Sequence, residues 1–253
     1  MLLAFDIGNT NIVVSTCENG AWSRPYRFRT DSSRSSDEYL FMVGRMLDGR
    51  KPQSCVISSV VPNLTRAFTK IARSLSGKEP VVISVKSRTS LKNIPQELGS
   101  DILSNLEAAH NRYPDDYVTV LDFGTAFTTS TVAPDGKVMG VTISPGLVTS
   151  VNALSNNTAQ LPQIELRFPE TVLGLNTESS ILAGIMYGFA GQARELVARI
   201  RQELGKTTKV LATGGLSSTI QPLIPEIDQQ DVLLTLDGMR LIHDKTIKGE
   251  IRT

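Results

Sequence analysis

The chain has 253 residues, 40% hydrophobic and 20% charged, and its 26 Lys and Arg against 25 Asp and Glu leave a net charge of +1, with no basic excess for a nucleic-acid partner. No apolar run approaches the ~18 residues of a membrane span and no basic leader opens the chain, so no membrane partner and a cytoplasmic location are expected. Cys17 and Cys55 form no CxxC pair and His110 and His243 are the only histidines, which argues against a zinc site and for two buried free thiols.

In chain order, "LLAFDIGNTNIVV" from Leu2 reads as an apolar strand that carries Asp6 into a turn at Gly8, followed by β-prone residues. Asn19-Gly20 in "ENGAW" is a hairpin signal of the two-residue type. Ser35 with Glu38 forms a capping box opening a helix through Met46. "SCVISSV" is a strand, Pro62 belongs in the first turn of the next helix, and "PVVIS" is another strand. Asp101 to Arg112 reads as a helix with Ile102, Leu103, Leu106 and Ala109 on its inner face, where Asp101 suits an N-cap. A second strand-turn-strand follows in "VTVLDFGTAFTTSTV" from Val118, with the hairpin signal Asp135-Gly136 after it. Thr177 to Leu204 is helical in pattern, with Thr177 suited to an N-cap; "KVLAT" is a strand, and "GGLSSTI" leads into a helix.

The two openings form an internal repeat. Asp6 and Asp122 stand 116 positions apart (122 − 6), and the pairs Gly8/Gly124, Thr10/Ala126 and Asn19-Gly20/Asp135-Gly136 share that offset. Two similar halves are expected, divided near Tyr113 to Tyr117, each alternating helix and strand as α/β layers. A carboxylate at the end of a buried strand is costly unless something pairs with it. A lone Asp-x-Gly would read as an Asx-type turn. Two of them, in matched halves, point to turns that face one another across a cleft, take phosphate oxygens on backbone N–H groups, and use the carboxylates to hold a cation or its waters. There is no GxxxxGK[ST], so this is not a P-loop protein. Gly214-Gly215 in "LATGGLSS" lets backbone approach a planar ligand such as adenine.

"DIGNTN", "DFGTA" and "ATGG" in this order resemble the ATPase superfamily of actin, hexokinase and the heat-shock ATPases. With "VISSVVP", "PQELGSD", "ISPGLVTSVNALSNNTAQLP" and "LGLNTESSILAG", the chain closely resembles the type III pantothenate kinase family over nearly its whole length. The resemblance implies an α/β, duplicated actin/hexokinase (ribonuclease H-like) fold with a nucleotide cleft between two lobes, 1–115 and 116–253. It implies transfer of the γ-phosphoryl of ATP to the primary hydroxyl of pantothenate, the first step of coenzyme A synthesis. The first phosphate loop would be Asp6, Ile7, Gly8, Asn9, Thr10, Asn11, Ile12 and Val13, with Thr125 on ATP from the second loop and Gly214 and Gly215 at the adenosine. Asp122 would hold the monovalent cation, potassium or ammonium, while magnesium accompanies ATP. Gly99, Ser100, Asp101 and Ile102 would form the substrate motif, Asp101 being the general base, and Thr177 would contact substrate. A homodimer is implied, with the helix bearing Ile181, Leu182, Ile185, Met186 and Phe189 as a candidate dimer element; burial within one chain explains these residues equally well.

The chain departs from the family pattern in places. Ile102 stands where the family has Arg, Lys92 where it has Tyr, and Phe127 and Ser130 where it has Thr and Asp. An alkyl group at 102 gives up a charge-assisted contact worth roughly 1.5–3 kcal/mol. Two alternatives follow: a non-catalytic relative that binds nucleotide in a regulatory role, and a kinase for another small hydroxy compound.

Overall fold

In a computed structural model, residues 1–156 and 165–250 are described; the end of the "ISPGLVTSVNALSNNTAQLP" stretch, 157–162, lies outside them. The chain forms two compact units.

In the first unit, β1 (Leu2–Ile7) pairs antiparallel with β2 (Asn11–Glu18) and parallel with β5 (Ser54–Ser59). Short strands β3 (Ala21–Trp22) and β4 (Tyr26–Arg29) flank β2, and β6 (Val81–Val82) closes the other edge, giving the order β3-β2-β1-β5-β6. The "PVVIS" strand is thus only two residues long. Helices α1 (Ser36–Leu47) and α2 (Pro62–Ser76) cover one face. Leu3, Phe5 and Ile7 alternate toward them and pack with Tyr39, Val43 and Phe68 in a continuous core. The Phe5 and Phe68 rings meet edge to face at 5.2 Å. The capping box forms as expected: Glu38 N–H donates to Ser35 Oγ at 3.3 Å and Ser35 N–H to Glu38 Oε2 at 2.8 Å. Pro62 opens α2.

In the second unit, β7 (Val118–Phe123) pairs antiparallel with β8 (Ala126–Val132) and parallel with β10 (Lys209–Thr213). With β9 (Val138–Pro145) and β11 (Gln229–Gln230) the order is β11-β10-β7-β8-β9. Helices α4 (Leu147–Asn156) and α5 (Thr177–Leu204) and the four-residue α6 (Ser217–Ile220) belong to this unit. Leu121 and Phe123 alternate into a core with Phe127, Met186, Phe189 and Val210. The repeat is therefore architectural as well as sequential. Both openings are a central strand with an antiparallel partner on one side and a parallel one on the other, and in each it is the Asp alone that is not fully buried.

The second hairpin differs from its expected form. Asn19 (φ 50°) and Gly20 (φ 83°) both take left-handed backbone, as a two-residue turn requires. In "PDGKV" Gly136 (φ 82°) does so but Asp135 does not. Pro134 favours a type I turn closed by Gly136 N–H to Ala133 O at 2.9 Å, which lengthens the connection.

Helix α3 (Ser100–Arg112) starts one residue before its expected position. Its boundary changes the domain division too. The units part within α3, between Ala108 and Ala109, while Leu91–Asn93 belongs to the second unit and the last helix, α7 (Leu234–Glu250), returns to the first. A simple cut into 1–115 and 116–253 does not describe this. Trp22 Nε1–H donates to Asp237 Oδ1 at 2.9 Å, tying α7 to β3.

Cys17 and Cys55 are buried free thiols, as expected. Burial pushes the Cys55 thiol up to about 11 and also raises that of Cys17, where Arg240 opposes the effect. Neither should react with a thiol reagent in the native protein at mildly alkaline pH, and both should react once guanidinium unfolds it. Fast native labelling of Cys55, read by intact mass, would contradict this.

Candidate active site

Strand alternation places Asp6 on the face of β1 opposite the α1–α2 core, with Val13 and Ser58 as its register neighbours. The turn after it is tightly specified. Gly8 N–H donates to Asn11 O at 3.0 Å, and a Cβ at Gly8 would lie only 3.2 Å from that oxygen. Thr30 fastens the turn from outside: its hydroxyl donates to Gly8 O at 2.7 Å and its N–H to Thr10 O at 2.9 Å. Because the Gly8 N–H is taken, an incoming anion must meet other groups of the turn, where Asn9, Thr10 and Asn11 are exposed. Ile7 and Ile12 point into the core, so only their backbone is available to a ligand, and Val13 is half-buried.

The substrate-motif residues join the same unit. Ser58, beside Asp6 in the sheet, shares a hydrogen bond of 3.0 Å with Ser100 Oγ, which also accepts from Ser59 N–H at 2.8 Å. The first turn of α3 is thereby fixed to the end of β5. Leu103 N–H donates to Gly99 O at 2.9 Å, so Gly99 occupies the cap position expected of Asp101. A Cβ on Gly99 would collide with Asp101 Oδ1, so glycine here leaves room for that carboxylate. Asp101 Oδ1 accepts from Ile102 N–H at 2.8 Å, yet burial outweighs this and raises the carboxyl above the ordinary aspartate range. Ile102 is only 7% exposed and lines the core instead of a polar pocket.

In the second unit Asp122 lies between Thr128 and Thr213 in register. Gly124 N–H donates to Ala126 O at 3.2 Å, the counterpart of the Gly8 bond. Thr125 is exposed, and its carbonyl accepts from Gly146 N–H at 2.9 Å and Thr149 Oγ1 at 2.7 Å. Gly214 (φ 91°) turns the chain directly against this site: a Cβ there would fall 2.5 Å from Asp122 Oδ1. The acidic turn and the Gly214-Gly215 turn thus converge. Ser217 Oγ–H donates to Gly214 O at 2.8 Å and holds the turn, with Gly215 exposed.

Several residues have roles that sequence reasoning did not assign. Thr30 and Ser58 carry no local signal of their contacts, whereas Ser217 sits within the quoted "LATGGLSS". Phe127 stacks on Phe123 at 4.8 Å and meets Phe189 at 6.2 Å, so this departure from the family pattern fills core. Ser130 is likewise buried. Lys92 is exposed, with its backbone joined to the β8–β9 connection through Gly136 and Val138. Thr177 is exposed at the first position of α5, whose cap is Asn176, not Thr177. In that helix Leu182, Met186 and Phe189 are buried within the chain, and Ile181 and Ile185 are half-buried.

Among the described residues no group of three or more His, Cys, Asp and Glu side chains can hold a metal ion. The donor chemistry fits a cation brought in on a phosphate ligand and met by single carboxylates, Asp6 or Asp122, more than a full protein cage. No helix of the described residues is long and apolar enough to cross a membrane.

A family profile described as type III pantothenate kinase matches residues 2–199. A type III pantothenate kinase of Moorella thermoacetica is 36% identical, covering 97% of this chain and 99% of that protein. One from Myxococcus xanthus is 37% identical over 97% and 98%. Among solved structures, the activator of 2-hydroxyisocaproyl-CoA dehydratase from Clostridium difficile with bound ADPNP superposes with a TM-score of 0.59 at 13% identity, covering 100% of this chain and 97% of that one. At that identity the likeness shows the fold alone, the actin/hexokinase-like ATPase fold, mixed α/β with two sheets.

Proposed function

This chain belongs to the type III pantothenate kinase family, and on that footing we propose that it transfers the γ-phosphoryl group of ATP to the primary hydroxyl of pantothenate, the opening step of coenzyme A synthesis. The observation that carries the proposal is the linkage Asp6–Ser58–Ser100–Asp101, in which the first acidic turn and a desolvated carboxylate are fixed to adjacent strand ends of one sheet. For ATP, the first unit offers the Asp6–Val13 turn to phosphate, and the second offers Thr125 to phosphate and Gly214 and Gly215 to adenosine. Asp101 accepts the proton of the attacking hydroxyl as the new oxygen–phosphorus bond forms and the bond to the β-phosphate oxygen breaks, releasing ADP. Gly99 and Ser100 hold Asp101 in place, and Thr177 reaches the acceptor.

Magnesium supplies charge neutralisation on the phosphates when bound. Asp122 holds a potassium or ammonium ion, so removing both should lower turnover and sodium should not restore it, measured by coupled ADP release. The active species is a cytoplasmic homodimer that needs neither nucleic acid nor a membrane. Supporting the dimer, the second unit leaves the apolar side chains Ile143, Val172, Leu173 and Leu175 69%, 63%, 83% and 98% exposed.

Purified protein with ATP, magnesium, potassium and pantothenate should form phosphopantothenate, seen by mass spectrometry. ATP hydrolysis or binding without that product would overturn the proposal. The burial of Ile102 favours one second reading, an acceptor that lacks a carboxylate, because no charge at that position meets one. Under it, a panel of small alcohols would be phosphorylated in preference to pantothenate.

A further inference from the structure

Helix α7 is the one element of the first unit that arrives from the far end of the chain, and it lies outside the 2–199 stretch of the family match. It meets α3 through three of its residues. At Gly238 the backbones touch: a Cβ there would overlap the Ser104 backbone, so only glycine permits this crossing. One turn earlier in α7, Thr235 Oγ1 donates to Asn105 Oδ1 at 2.8 Å. Two turns later in α7, Lys245 Nζ bonds both Glu107 Oε1 and Ser90 Oγ, while Ser90 N–H donates to Glu107 Oε2 at 2.9 Å.

Asn105 and Glu107 are fully buried, at 1% and 0% exposure. A buried carboxylate is tolerated only when paired and hydrogen-bonded, and here most of that pairing comes from α7 and Ser90. From the crossing, a bonded path runs to the proposed base. Ser104 Oγ donates to Ser100 O at 2.7 Å, Ser100 Oγ is held by Ser58 and Ser59, and Asp101 follows Ser100 in the same turn.

We propose that Lys245, Glu107 and Gly238 are positioning residues: the C-terminal helix sets the height and rotation of α3, and thereby the place of the Asp101 carboxylate. This rests on the assignment of Asp101 as general base. None of the three needs to touch substrate or nucleotide. Their effect is on where the proton acceptor stands, and an error of about 1 Å there costs up to ~100-fold in rate.

The test uses the whole 253-residue chain with Lys245→Met, Lys245→Arg and Thr235→Val, the last being nearly isosteric and mild enough to fold. Lys245→Met should lower kcat about 10- to 100-fold with the KM for ATP within about twofold of wild type. Lys245→Arg, which keeps the charge, should recover most of the loss, and Thr235→Val should lower kcat about threefold. Amide hydrogen exchange supplies a reading that does not depend on turnover: in Lys245→Met and Thr235→Val the amides of 100–103 should exchange at least ~10-fold faster, with β7 and β8 protected as in wild type. Unchanged exchange at 100–103, or kcat and the KM for ATP deteriorating together, would overturn the inference. Wild-type protein that leaves pantothenate unphosphorylated would instead overturn the proposed function, and the exchange comparison would still decide whether α7 holds the Asp101 turn.

Discussion

Asp101→Asn should abolish turnover while sparing the fold and the nucleotide. Amide for carboxylate removes the proton acceptor, and general-base loss costs ~10²–10⁴ in rate. Asn Oδ1 can still accept the Ile102 N–H, so the first turn of α3 keeps its local bond. ATP affinity, measured by calorimetry, should stay within about twofold of wild type. The variant should also be slightly more stable. Burial raises the folded-state pKa of Asp101, so between its unfolded and folded values the native protein retains a proton that the unfolded chain has released. Stability therefore falls as pH rises through that window, and at neutral pH the native state carries the cost of a desolvated charge. The substitution removes it and should lift Tm by ~2 °C. The same pKa direction places the acid limb of kcat/KM for pantothenate above the ordinary aspartate range, with activity rising as pH rises through it. A variant that keeps wild-type turnover, or an acid limb at or below the ordinary value, would count against Asp101 as the base.

Gly214→Ala should disable the second unit's turn. The glycine has φ 91°, a conformation that costs an alanine roughly 1–2 kcal/mol. Its Cβ would also fall 2.6 Å from Phe123 C and 2.7 Å from Phe123 N, backbone atoms that cannot swing aside, and 2.5 Å from Asp122 Oδ1. The strand end bearing Asp122 must shift, and with it the cation and phosphate contacts proposed there. ATP affinity should drop about 100-fold, or ~2.7 kcal/mol, with Tm lower by ~5 °C. Gly188→Ala is the comparison: this α5 glycine has open space around its Cβ direction, so the change should leave ATP affinity intact and raise Tm through helix propensity. If Gly214→Ala bound ATP normally, the convergence of the two turns would have no bearing on nucleotide binding.

What could be read in the chain before folding was local. Asp6 and Asp122 stand out because alternation and turn chemistry within a dozen residues leave a carboxylate nowhere else to go. Ser35 with Glu38, and Pro62, likewise announce their helices through neighbours only. The family motifs added roles to Gly99–Ile102, and the structure places the first three at one strand end and the fourth in the core. Other features depend on distant partners. Nothing around Thr30 hints that it fastens the Gly8 turn, and Phe127 looks like a lost polar residue until Phe123 and Phe189 surround it. The second hairpin departs from its two-residue form because Pro134, ahead of Asp135-Gly136, favours a type I turn. The grouping of α7 with the first unit was the least visible, since its residues show only an ordinary helical pattern and the partner helix lies more than a hundred residues earlier.

That grouping has a bearing on biogenesis. A nascent chain emerging from the ribosome presents β1 through α3 long before 234–250 are made, so the first unit must wait for those residues, with Asn105 and Glu107 lacking their α7 partners until then. The second unit, complete by Leu233, is free to fold ahead of it. Chains stalled before Leu234 should therefore show protease resistance in the later half and susceptibility in the earlier one, the reverse of simple vectorial order.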